Sequence, residues 1–73
     1  MNIDELYKKA QSGDAQAQYD LGICYESGDG VSVDYTRAAA LFVKAAEQGL
    51  ADARFHLTRN YKKNSMGRWT YKG

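Results

Sequence analysis

Proline is missing from this 73-residue sequence, cysteine and histidine occur once each, and no acidic residue follows Asp52. Each absence closes a class of protein. With Cys24 alone there is no disulfide framework to brace a small chain, and the thiol is expected to be buried as a small hydrophobe. One cysteine and one histidine cannot supply the four ligands of a structural zinc site, so no metal and no cofactor are expected. No stretch approaches the ~20 apolar residues of a membrane span. The opening M-N-I-D-E-L-Y-K-K carries two acids and no apolar run, unlike a secretory signal, so a cytoplasmic protein is expected. Catalysis needs a nucleophile, a base and a group to orient them. Cys24 and His56 stand 32 positions apart on different expected helices, so no catalytic residue is assigned and the chain is not read as an enzyme.

What is present is alanine-rich and helical in period. Asn2, with Glu5 three residues on, has the spacing of a capping box for a first helix ending near Ser12, with Ile3, Leu6 and Ala10 on one face. After Gly13, Asp14 places an acid at the start of a second helix, about 15–27, with Ala17, Leu21 and Cys24 on one stripe. Gly22 inside that helix implies a close approach by another backbone. Gly28 to Asp34 reads as a turn with Val31 as an apolar plug. It lacks both the phosphate-cradle and calcium-loop patterns. Asp34 caps a third helix, about 35–48, with Ala38, Leu41, Phe42 and Ala45 inward and Thr36, Ala40, Val43 and Glu47 opposite. A fourth, about 51–62, aligns Ala53, Leu57 and Tyr61.

The second half repeats the first at a shift of 36. Residues 6–25 set against 42–61 share seven of 20 positions, including Gly13/Gly49, Ala17/Ala53, Leu21/Leu57 and Tyr25/Tyr61. A helical hairpin recurring at fixed period is the sign of a solenoid. The expected fold is all-α, a tetratricopeptide-like α-solenoid fragment of two antiparallel helical hairpins (four helices). Residues 1–62 form the repeat domain, as repeats of about 1–34 and 35–62, and residues 63–73 an irregular basic tail, mobile beyond Trp69. Because solenoids usually need at least about three repeats, self-association or stabilisation by a partner is expected.

The glycines, alanines and G-D-G-V turn, together with L-F-V-K-A-A-E-Q-G-L-A-D-A, make residues 8–57 resemble the Sel-one-like repeat family, a relative of the tetratricopeptide repeat. The resemblance implies a non-enzymatic adaptor, scaffold or inhibitor that binds proteins on its concave face. The first helix of each hairpin would line that face, offering Asp4, Tyr7 and Gln11 from one and Ala40, Val43 and Glu47 from the next.

Charge points to an alternative. Residues 1–53 carry nine acids and four bases, a net of −5, whereas residues 54–73 carry six bases and no acid. Lys62, Lys63, Arg68 and Lys72 interleave with Trp69 and Tyr71, a mixture that suits nucleic acid or another polyanion. Against it stands a capping role, with Met66 and Trp69 folded over the open end of the last hairpin and the bases near Glu26, Asp29 and Asp34.

Overall fold

The computed structural model describes residues 2–73. Four helices follow one another, α1 Ile3–Gln11, α2 Ala15–Ser27, α3 Tyr35–Glu47 and α4 Ala51–Asn60. A two-stranded antiparallel hairpin, β1 Tyr61–Lys63 and β2 Trp69–Tyr71, completes the chain. Successive helices pack on one another, and α3 is the central one, held between α2 and α4.

Caps decide where the helices begin. Asn2 Oδ1 accepts from the Asp4 N–H at 2.8 Å, one residue earlier than the expected box. Asp14 and Asp34 cap α2 and α3 by accepting from the N–H groups of Ala17 and Arg37. Each such bond satisfies one of the free donors of a first turn. The N-cap of α4 is Leu50, the repeat equivalent of Asp14, which makes no side-chain cap bond. At the two elbows Gly13 and Gly49 take φ of 100° and 93°, where side-chain-bearing residues are strained.

Two apolar clusters form the core. Leu6, Ala10, Ala17 and Leu21 make the first, with Cys24 and Leu41 partly buried against it. Cys24 is therefore half-buried rather than enclosed, and burial still pushes its thiol pKa up. Ala38, Ala39, Phe42, Leu57 and Tyr61 make the second. Gly22 does mark a close approach, but by a side chain: a Cβ there would lie 2.7 Å from Cε1 of the Phe42 ring.

The tail departs from expectation because a hairpin signal lay within it. Asn64 Oδ1 accepts from the N–H groups of Met66 and Arg68, and Gly67 turns the chain with φ of 80°. This is the side-chain-mimicked turn that asparagine favours. It sets Tyr61 opposite Tyr71 and Lys63 opposite Trp69. The Lys72 N–H then bonds the Asn60 carbonyl, so order extends past Trp69. β2 lies on α3, and Trp69 and Tyr71 pack against the second cluster. The hairpin thus covers the end of the stack, as a solenoid end requires. Met66 takes no part in this cover and is 78% exposed at the loop. Nor do the tail cations reach Glu26, Asp29 or Asp34: among the described residues Asp34 pairs with Arg37, and Glu26 is met by the His56 ring.

Candidate protein-binding groove

Between the first helices of the two hairpins, α1 and α3, runs an open groove of about 460 Å³ floored by α2. Its floor is Gln18 and Leu21 of α2, with Ala10 at the foot of the α1 wall, all buried. One wall is Tyr7 and Gln11, one helical turn apart, with Gln11 Nε2 donating to the Tyr7 hydroxyl at 2.7 Å. The other is Arg37, Ala40 and Lys44, whose i, i+3, i+7 spacing puts them on one stripe of α3. Ala40 leaves the centre of that wall low.

Arg37 is held from below by Tyr25. Its guanidinium lies 5.4 Å from the ring centroid, and Nη1 donates to the hydroxyl at 3.5 Å. The Tyr25 hydroxyl first, and Asp34 after it, push the guanidinium pKa further up, so the group stays cationic. Asp34 stands 3.8 Å away at the end of the helix. A buried amide braces the other end of the groove. Gln18 Nε2 donates to the Ala10 carbonyl at 3.2 Å, and Gln48 Nε2 donates to Gln18 Oε1 at 2.9 Å, which ties three helices together.

Tyr7, Gln11 and Ala40 therefore come together as one surface. Asp4 and Glu47 are exposed but lie outside the groove lining. Val43 does not belong to the open face: it packs against the cluster of Phe42, Leu57 and Tyr61. α3 is contacted by α2, α4 and β2, so its buried arc is wider than a helix with two neighbours would have. Of the anion-binding candidates, Lys62, Lys63, Arg68 and Lys72 are exposed on the hairpin. Trp69 is turned toward the core, with Lys63 Nζ 5.8 Å from its ring centroid.

One polar contact between the hairpins was not legible from periodicity. His56 Nε2 lies 3.0 Å from both Glu26 carboxylate oxygens, across 30 residues of sequence. The tautomer with its proton on Nε2 donates to this carboxylate. The imidazole also packs on Phe42, with centroids 4.7 Å apart. Beside this pair the Tyr61 hydroxyl is buried without a hydrogen-bond partner. Burial, and secondarily the Glu26 carboxylate, push its pKa well above the ordinary 10.0. A polar side chain on each of two stacked helices is too common a pattern to announce such a pair. Among the described residues, no three His, Cys, Asp or Glu side chains gather as a metal site would need.

Paired antiparallel helices, stacked at a fixed repeat with a groove between their first members, define a tetratricopeptide-like helical repeat protein. Residues 15–50 match the Sel1 repeat, and the chain belongs to the Sel1-like repeat family, whose repeats mediate protein–protein interaction. The chain is 31% identical over 64 residues to chitin synthase regulatory factor 3 of Schizosaccharomyces pombe, covering 86% of this chain and 7% of that protein. It is 34% identical over 65 residues to DAP3-binding cell death enhancer 1 of Mus musculus, covering 89% of this chain and 13% of that one. The chain thus spans only a small part of the length of these relatives. No solved structure matches it.

Proposed function

We propose that the chain is a non-enzymatic protein-interaction module, acting as an adaptor or as an inhibitor by occupying a partner's surface, and that the groove between α1 and α3 is its docking site. The observation that carries this is the groove's build: buried Ala10 and Leu21 at its base, between walls of exposed Tyr7 and Ala40. An apolar floor with an aromatic and polar rim is the anatomy of a binding patch. One relative is named for binding DAP3 and another for regulating an enzyme, which supports a partner-binding role here. A photo-crosslinking amino acid at position 7 or 40, introduced in the cell that makes the protein, is expected to capture a protein partner. The same group at position 52, on the exposed first turn of α4, is expected to capture none. Equal capture at all three, or none at any, rules the groove out.

The charge of the hairpin favours a second reading, an anionic partner such as single-stranded nucleic acid. Four exposed cations support it. The aromatic faces that would stack on bases argue against it, since Trp69 and Tyr71 pack against the core. Binding that weakens steeply with salt and vanishes on deleting residues 62–73 would establish it.

A further inference from the structure

The groove has a charge of its own, opposite to that of the sequence around it. Residues 1–53 sum to −5, yet no carboxylate lines the groove they build. Its two charged side chains are both cations, Arg37 and Lys44, two helical turns apart on the α3 wall. That spacing corresponds to about 10 Å of helix axis, or roughly three residues of extended chain. Around them stand neutral hydrogen-bonding groups, the Tyr7 and Tyr25 hydroxyls and the Gln11 amide. Resting on the docking reading above, we propose that the occupant is an acidic linear segment of a partner protein, laid along the groove with two carboxylates on Arg37 and Lys44.

Three features fit this occupant. Arg37 is pre-positioned by the Tyr25 ring and hydroxyl, so little side-chain freedom is lost when a carboxylate arrives. Asp34, the carboxylate recorded near Arg37, sits 3.8 Å away at the N-cap, where it also receives the Arg37 backbone N–H. With Nη1 on the Tyr25 hydroxyl and Nε facing Asp34, Nη2 is the nitrogen left to meet a ligand. Ala40 keeps the wall low between the two cations, which leaves room for an apolar side chain of the ligand above buried Leu21. The acidic surroundings would repel an acidic ligand elsewhere on this half and so confine it to the groove.

Selection of a random dodecapeptide phage library on the intact chain, followed by fluorescence anisotropy of the enriched peptides, tests this. Enriched peptides are expected to carry two or more Asp or Glu residues. Their Asn or Gln isosteres are expected to bind at least tenfold more weakly. The double variant Arg37→Gln/Lys44→Gln should lose affinity to a similar degree and flatten the salt dependence, with an unchanged circular dichroism spectrum. Ala40→Trp, which fills the groove, should abolish binding. Neutral or basic peptides that Ala40→Trp still displaces would overturn the acidic assignment and leave the docking site standing. Peptides indifferent to Ala40→Trp, or no enrichment at all, would overturn both.

Discussion

The rings of Tyr35 and Tyr71 stack 4.1 Å apart and 4° from parallel, joining the first residue of α3 to the last of β2. This contact holds the hairpin against the helix from the outside, while Trp69 and Tyr61 hold it from within. A stacked aromatic pair contributes roughly 0.5–1.5 kcal/mol beyond its burial. Urea unfolding of Tyr35→Ala, Tyr71→Ala and the double variant should give a coupling of that size. A coupling indistinguishable from zero would mean the hairpin is held by the inner contacts alone.

Gly22→Ala tests the close approach between α2 and α3. The new Cβ would meet Phe42 Cε1 at 2.7 Å, so the ring or the helix must move. Overpacking of this kind costs about 1–3 kcal/mol, against a gain of about 1 kcal/mol in helix propensity. A net loss in urea midpoint is expected. It should shrink when Phe42→Leu is added, because the clash is then removed. A more stable Gly22→Ala protein would show that Phe42 yields freely.

Leu50→Asp asks whether the second elbow lacks what the first one has. Asp14 caps α2 by accepting from Ala17, and its equivalent Leu50 adopts the same extended backbone without any cap. A capping aspartate is worth roughly 0.5–2 kcal/mol, less the small apolar contact of a partly buried leucine. The melting temperature is expected to rise by a few degrees, and Asp14→Ala to lower it comparably. A fall in both variants would place Leu50 among the packing residues instead.

Tyr61 sets a limit at alkaline pH. Its phenol is held neutral by burial, with the folded pKa above the unfolded 10.0. Between those values the folded chain binds the extra proton, so stability is intact below pH 10 and falls as pH rises above it. The half-buried thiol of Cys24, whose ordinary pKa is 9.0 and is also raised, adds to the fall from about pH 9. Tyr61→Phe should flatten the upper part of that loss. It also removes a buried hydroxyl with no partner, so the variant should be at least as stable at pH 7. Urea midpoints from pH 7 to 11 measure both effects. A large loss at pH 7 would show that the hydroxyl is bonded after all.

Periodicity located the four helices because the small and apolar residues obey one repeat from Leu6 to Leu57. It misplaced Val43 because a helical wheel assigns faces relative to an assumed number of neighbours, and β2 adds one. It passed over β1 and β2, although W-T-Y alternates and N-S-M-G supplies a turn with asparagine and a left-handed glycine. Strands of three residues are too short for alternation to stand out, so the tail reads as irregular. The groove itself was half legible. Tyr7, Gln11 and Ala40 lay on the face that the family resemblance implied, whereas Arg37 and Lys44 joined them only through the side-by-side placement of α1 and α3.

The Gln18 amide also joins the two walls of the groove. It bonds Ala10 near the end of α1 and is bonded by Gln48 at the end of α3, so the two walls share one fixed point. At the far end the walls are joined by no such direct bridge, since Arg37 leans on Tyr25 of the floor. The two walls are therefore tied to one another through Gln18, so a substitution there acts on both at once.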